Sequence, residues 1–583
     1  MNKYEILLNV LDHLISEAPP QYKSYHPDLL DLEGLNQARA KAFIHLFFKV
    51  RFGLLKFLER EQYITDGTSD AGIDGYYISL EYRTIYFIQS KFRTTRENFE
   101  TKSIKAEEVL AMDISRILDG EDCYENDTPY NSKILDLKKK IAQIEDIGRY
   151  KYKVIILANV SKLTDSKLKM LTGGFPTEVV DFEKSYNTLV YPVVSGTYYN
   201  ESALNINIDL SNKNAGAKIS YSVETKLRKC EITVLFVPTI EIAKIMYKYK
   251  NSILKYNPRS YLDLEGKNVN AAIRETIERS CTNEFALFNN GITMLSDETY
   301  VNERIGQKGR AQLTVINPQI INGGQTAFTL SRIYEENSED ARQKLFENKE
   351  VLLKIITFEE SENLEDSKKN QLIEDISRAT NQQSAVTYAD RRSNDQDLIN
   401  LQHILFYRYG LLLERKRGEF SDGLRSGYVR LKNIFERSLF IKVCFAVQGK
   451  LTESGYKKLF RKVDFESLSY KDISKLDLYY YGILCYQELL SHQNISFKQN
   501  IDSHRHYYVW IYVMSKFYRP RNVDDYENKV AFAFDEIERE WDNFNEYISK
   551  LEHNRAYIKK VKVLDSDEQK LVFNTNSLKA GYR

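Results

Sequence analysis

No apolar run in this sequence reaches the ~18 residues that a transmembrane helix needs. The N-terminal stretch MNKYEILLNVLDHLISEAPP carries acids inside its apolar pattern and has no small-residue cleavage site, so it reads as an amphipathic helix rather than a signal peptide. A soluble, cytoplasmic protein without a membrane partner is expected. Cysteine is sparse: Cys123, Cys230, Cys281, Cys444 and Cys485 lie far apart and form no CxxC pair, which argues against a disulfide framework and a zinc ribbon. Charge of one sign is lacking as well. Lys and Arg total 83 against 82 Asp and Glu, a formal net charge of +1. That balance leaves nucleic-acid binding open, because a local basic surface decides it rather than the total. No GxxxxGK[ST] loop, GxSxG elbow or HExxH helix occurs, so an NTPase motor, a serine hydrolase and a zincin are unsupported. No repeat of roughly 20–50 residues is visible, which excludes a solenoid.

What is present suggests several domains, since 583 residues exceed one domain of roughly 150. Helices are predicted near 3–17 and 33–58, separated by Pro19 and Pro20. A strand pair follows, Ile73–Leu80 and Ile85–Phe92, then helices near 104–118 and 133–147. Strands are expected at Lys153–Val160 and Thr188–Val194. The alternation predicts an α/β domain over 1–200, with a boundary in the polar stretch Asn200–Lys229. A second α/β region over 225–360 is expected to hold strands Glu231–Val237, Phe285–Phe288, Ile292–Leu295 and Leu313–Ile316. Residues 361–583 read as mainly helical, with periodicity at 365–380, 390–408, 430–448, 472–491 and 525–550.

The segment DGTSDAGIDGYYISLEYRTIYFIQSKFR holds the chemistry. Asp74 follows a Gly-containing turn at the head of the first strand, and Gln89 and Lys91 lie two apart on the next. Positions i and i+2 share one face of a strand, so both point the same way. A tight hairpin sets Asp74 beside them. Hard oxygen ligands of this kind hold Mg²⁺, with Mn²⁺ able to substitute, and the cation neutralises a phosphate and activates water. A lysine there orients the water or stabilises developing charge. Asp-Gly pairs are also common in turns without catalysis. Against that bland reading, Ile85–Phe87–Ile88 look buried, and polar residues ending a buried strand need a reason.

This pattern resembles the PD-(D/E)xK nuclease superfamily, especially its Mrr-like branch, in which D-x-G-I-D-G precedes a strand ending Q-x-K. Here it reads Asp70-Ala71-Gly72-Ile73-Asp74-Gly75, then Gln89-Ser90-Lys91. The resemblance implies a restriction-endonuclease-like core, a mixed sheet flanked by helices. It makes Asp74 the main metal ligand, puts Gln89 in place of the second acid, and makes Lys91 the catalytic lysine. The Ser90 carbonyl is a further candidate ligand. Gln for Glu removes a negative charge, so another carboxylate is expected to compensate. In this superfamily it comes from the preceding helix, where Glu33 is the candidate. Glu59 and Glu61 also lie upstream, and Asp70 is an alternative ligand.

Four segments mark the second half: FALFNNGITML, VINPQIINGGQTAFTL, SRATNQQSAVTYADRRSND and LLLERKRGEF. The turn Asn322-Gly323-Gly324-Gln325-Thr326 leads into a helix, whose N-terminal amides could hold a phosphate. Equally, its glycines could only supply positive φ. Arg415, Lys416 and Arg417 fit backbone phosphate contacts or an ordinary solvated charge run. His504 and His506 form an HxH without a completing acid set. Trp510 and Trp541 sit in helical patterns and read as core.

Together, NNGIT, INGGQT, the later Asn381-Gln382 segment with Asp390, and ERKRG resemble, in that order, the AIPR (abortive infection phage resistance) family over roughly 225–560. The INGGQT turn is also similar to the DGQHR motif of proteins linked to DNA phosphorothioation, although its Asp, His and Arg are absent here. The resemblance implies an antiphage endonuclease acting on DNA more than RNA, with a homodimer and a phage-derived trigger or regulatory partner expected. A catalytically inactive sensor and an RNA-cleaving nuclease are the alternatives.

Overall fold

The computed structural model describes residues 2–28, 30–104, 112–160, 172–198, 204–226, 229–257, 267–279, 282–358, 393–450, 468–492 and 503–549, with isolated positions between 164 and 166 and between 371 and 379. For 267–269, 503–506 and 539–549 only the backbone is described. The fold is mixed α/β, with several small sheets and a helical C-terminal part.

Helix α1 (Lys3–Ser16) starts on a capping box: the Asn2 side chain accepts from the Glu5 amide at 3.0 Å, and the Glu5 carboxylate accepts from the Asn2 amide at 3.2 Å. Helix α2 (Leu32–Arg51) is capped by Asp31 and is buried almost all round from Ala42 to Val50. It stops at Arg51, short of the expected 58, and a separate short helix α3 (Phe57–Glu61) follows. Strands β1 (Gly75–Ser79) and β2 (Thr84–Ser90) form an antiparallel hairpin. Strands β3 (Lys151–Leu157) and β4 (Thr177–Val179) continue the sheet in parallel, in the order β1-β2-β3-β4. Ile85, Phe87, Val154 and Ile156 fill its core, together with Ile134 and Leu137 from the helix Ser132–Ala142.

Two expectations are corrected. Thr188–Val194 is helical, running through a wide turn (Ser185–Val190) into the helix Tyr191–Ser195. Leu189, Val190, Val193 and Val194 are all buried, and a short apolar run surrounded by protein lacks the periodicity that separates strand from helix. Phe285–Phe288 is a single helical turn whose Leu287 and Phe288 are exposed, so no ladder holds it. Of the expected helix 104–118, residues 105–111 lie outside the described residues and Ile114–Leu118 is helical.

The stretch Asn200–Lys229 contains two strands, β5 (Asn205–Ser211) and β6 (Ile219–Glu224). Both pair with later strands: β7 (Lys229–Pro238), β8 (Ile292–Ser296), β9 (Glu298–Asn302), β10 (Arg310–Ile316), β11 (Gln319–Asn322) and β12 (Glu350–Phe358) make up the rest of two sheets. One has the order β5-β10-β9 and the other β11-β8-β12-β7-β6. Within the second, β12 and β8 run parallel and β12 and β7 antiparallel.

By internal contacts the chain divides into two compact units, Met1–Ser384 with Arg417–Leu431, and Ala385–Lys416 with Lys432–Arg583. The second unit is built from helices Gln396–Tyr409, Arg437–Val447, Ile473–Ser491, Ser503–Val513 and Tyr526–Ser549 around a Tyr-rich core that includes Trp510. The expected helix over 365–380 and the Asn381, Gln382 and Asp390 segment fall largely or wholly outside the described residues, as do the side chains of His504, His506 and Trp541. Among the described residues, no helix is long and apolar enough to cross a membrane.

Candidate metal centre

The loop between α3 and β1 is wound around its own acids. Asp70 accepts from the amides of Gly67 at 3.1 Å and Gly72 at 2.9 Å, which closes a tight turn. The carbonyl of Asp74 accepts from the amides of Thr65 at 3.0 Å and Asp66 at 3.1 Å. Asn131 clamps the loop from outside. Its side-chain amide donates to the carbonyls of Thr65 at 3.2 Å and Thr68 at 3.3 Å, and its backbone amide donates to Ser69 at 2.9 Å. Ala71 is fully buried in the left-handed region at φ +58°, a strained conformation for a residue with a Cβ. Its amide donates to the Tyr124 hydroxyl at 2.8 Å.

This winding converges three carboxylates. One oxygen from each of Asp66, Asp70 and Asp74 lies within 4.8 Å of the others. The Ser90 amide, at the end of β2, donates to Asp74 Oδ2 at 2.6 Å. Burial pushes the Asp74 carboxyl up to about 7; the Ser90 amide pulls against this, Asp66 adds to it, the Lys91 ammonium opposes it, and Asp70 adds a little more. Asp66 is also raised by burial, opposed by Lys41 at 3.9 Å and reinforced by Asp70. Burial thus disfavours the charged forms of Asp74 and Asp66, a penalty that a bound cation would offset.

Gln89 supplies a second indication. It is 3% exposed, between the fully buried Ile88 and the strand partner Ile156. Its Nε2 donates to the Gly72 carbonyl at 3.1 Å, which turns the amide toward the loop. Its Oε1 has no hydrogen-bond partner among the described residues. A buried acceptor left unsatisfied costs about 1–3 kcal/mol, so it requires an explanation. A carboxylate set plus an orphaned amide oxygen is a hard-oxygen donor set that fits Mg²⁺ or Mn²⁺.

The structure thus brings Asp74, Gln89, Ser90 and Lys91 together. Lys91 is exposed, with its amide donating to Leu157 at 3.1 Å. It does not bring in Glu33. That residue lies on the exposed first turn of α2, which becomes buried only from Ala38 onward, and it is not among the clustered acids. Glu59 caps the start of α3, and Glu61 is held by the Tyr25 hydroxyl at 2.7 Å and by His45 at 3.3 Å. Asp66, an acid that the sequence reading did not name, clusters with Asp70 and Asp74 instead. The four-residue spacing Asp66, Asp70, Asp74 was the available signal, carried by the loop rather than by the helix.

In the second sheet region the two glycine turns pack on each other. Gly323 adopts φ +80°, and a Cβ there would lie 2.7 Å from the carbonyl oxygen of Gly291. Asn289 Nδ2 donates to Thr326 Oγ1 at 3.1 Å, Asn322 Oδ1 accepts from the Gly323 amide at 2.7 Å, and Gln325 Nε2 donates to Asn270 Oδ1 at 2.8 Å. The helix begins at Gly324. Asn322, Gly323, Gly324 and Gln325 therefore build a junction between turns. Arg415 donates to Gln402 Oε1 at 2.6 Å and to the Ser393 carbonyl at 2.7 Å. Lys416 is 5% exposed and Arg417 is half-buried, so this triplet is no freely solvated run.

The family model described as AIPR protein matches residues 254–561, more than half of the chain. Comparisons with curated proteins and with solved structures return no match.

Proposed function

This chain belongs to the AIPR family, and from that premise we propose that it is a Mg²⁺-dependent endonuclease of antiphage, abortive-infection defence that hydrolyses DNA. Family membership supports the defence role. The nuclease reading rests above all on one observation, the buried and unpartnered Oε1 of Gln89, whose Nε2 bonds to Gly72 in the loop that carries the three clustered aspartates. The sheet order, an antiparallel hairpin followed by parallel strands, supports a restriction-endonuclease-like core.

In this reading Asp74, Gln89 Oε1 and Asp66 hold the cation, with Asp70 shaping the loop and lending charge. A divalent cation held there would supply charge to neutralise the scissile phosphate and to activate water. The Ser90 amide fixes the rotamer of Asp74. The Lys91 ammonium sits where it can orient the attacking water or meet charge developing on the phosphate. The AIPR region senses or restrains, since a cell does not survive a constitutive nuclease. A homodimer supplies two such sites for cutting both strands.

A second reading is favoured by Gln89 itself: with an amide in place of an acid, the chain would be a catalytically silent sensor. Asp66 weakens that reading by restoring the missing charge. Full-length wild type and Lys91→Ala, offered plasmid DNA and labelled RNA in parallel with Mg²⁺ or Mn²⁺, test both. Cleavage of DNA by wild type and a loss of about 10²–10³-fold in the variant is expected. Equal degradation by the two proteins contradicts the enzyme reading, and cleavage of RNA alone changes the substrate.

A further inference from the structure

Cations in the N-terminal region are mostly paired. Lys41 faces Asp66, Lys49 faces Glu17, Arg51 and Lys153 face Glu178, and Lys133 faces Glu61. Three are different. Lys91, Arg93 and Lys102 line one small cleft at the end of β2. Among the described residues, no side-chain hydrogen bond or ion pair engages any of the three. Arg93 Nε is buried without a partner, although the Arg93 carbonyl accepts from the Tyr4 hydroxyl at 3.0 Å and so anchors the backbone. Lys102 is exposed. Asp181, the one acid among the described residues lining the cleft, caps the helix Phe182–Lys184, where it accepts from the Lys184 amide at 2.9 Å.

Lys91 also faces the charges of Asp74 and Asp66, whereas Arg93 and Lys102 have no ion pair among the described residues, and like charges gathered in this way are stabilised where an anion joins them. Phe43, Phe99 and Ile104 line the same cleft, and apolar walls reduce the screening of charges paired beside them. The three cations along the cleft favour a phosphate. Arg93 follows Lys91 by two positions, a rise of about 6.6 Å along an extended chain, comparable with the step between neighbouring phosphates of one strand.

We propose that Arg93 and Lys102 bind the phosphate adjacent to the scissile one, so that the cleft seats a polynucleotide strand and delivers its neighbouring phosphodiester to Lys91 and the aspartates. This rests on the nuclease reading for its substrate but not for its measurement. Arg93 and Lys102 are positioning residues. Their contacts are with backbone phosphate, so they carry no sequence preference.

The test is fluorescence anisotropy of a fluorescein-labelled short DNA duplex, and of RNA of the same sequence, titrated without divalent cation. The protein is the full-length chain bearing Asp74→Asn. Arg93→Gln and Lys102→Gln should each weaken binding roughly tenfold and lower the slope of log affinity against log salt by about 1. Lys102→Arg should restore both. Lys139→Gln, at an exposed lysine near Asp136, should change neither. Because Lys102 is exposed, its variant remains informative if Arg93→Gln fails to fold. Unchanged affinity and slope in the Lys102 variant overturns the proposal, as does absence of binding to both nucleic acids by the parent. Failure of the nuclease reading shows instead as cleavage indifferent to Lys91→Ala, which leaves these titrations untouched.

Discussion

The Ser90 amide donates to Asp74 Oδ2 at 2.6 Å, from the end of one hairpin strand to the residue just before the other. This bond holds the carboxylate in a pocket that penalises its charge, next to Asp66 and Asp70. Asp74→Asn should therefore leave the cation-free protein at least as stable as wild type, because it removes a buried and repelled charge. Mn²⁺ should raise the Tm of wild type, and the variant should lose that rise. Thermal unfolding of both proteins with and without Mn²⁺ checks the two statements together.

Gln89→Glu reverses the balance. The Nε2 donor to the Gly72 carbonyl is lost, and a buried carboxylate then faces that oxygen in the loop that carries the three aspartates. Destabilisation of about 1–3 kcal/mol without cation is expected, together with tighter Mn²⁺ binding. Unfolding and isothermal titration of the variant measure both. A variant that is stable without metal and no tighter with it would contradict the placement of Gln89 Oε1 at the cation.

Acid should destabilise the N-terminal layer through His45. It is fully buried, with Nδ1 accepting from Arg60 Nε at 3.0 Å and Nε2 facing the Tyr25 hydroxyl at 2.9 Å and Glu61 at 3.3 Å. Burial pushes it from 6.5 down to about 4, opposed by the Glu61 hydrogen bond and aided by Arg60. The unfolded chain then binds the proton more readily than the folded one between those values, so stability falls as pH drops from 6.5 to about 4. The loss amounts to up to about 3 kcal/mol. Glu17 and Glu61, both lowered, act in the same sense at the acid end of that window. His45→Gln should flatten the upper part of the profile, measured as Tm against pH.

Gly323→Ala should cost more than Gly306→Ala. Both glycines have positive φ, +80° and +81°. Only at Gly323 would the added Cβ meet backbone, at 2.7 Å from the Gly291 oxygen, whereas nothing lies within 4 Å at Gly306. Gly306→Ala should lose about 1 kcal/mol from backbone conformation alone. Gly323→Ala should exceed it severalfold and lower the yield of folded protein, as read by thermal unfolding of the two purified variants.

The hairpin was legible because its pattern is local: the Asp-Gly turn, the alternation along Thr84–Ser90, and two polar residues ending a buried strand. The paired strands of Asn200–Lys229 were obscured by polarity, although Ile206, Ile208 and Leu210 alternate as the buried face of β5. Thr188–Val194 misled because burial on all sides erases period. The approach of Asp66 to Asp74 was not legible, because it depends on a loop wound through left-handed residues at Ser69, Ala71 and Gly72. The contact of Gly323 with Gly291 joins turns about thirty residues apart, and neither turn alone predicts it.

The central claim is that these hairpin oxygens hold a catalytic cation, and anomalous diffraction from crystals of the full-length chain soaked in Mn²⁺ tests it most directly. The account predicts a peak within bonding distance of an Asp74 oxygen and of Gln89 Oε1, completed by Asp66 or Asp70. No peak at the aspartates, or one bonded to Asp74 with no oxygen from Gln89 or Ser90, would contradict it.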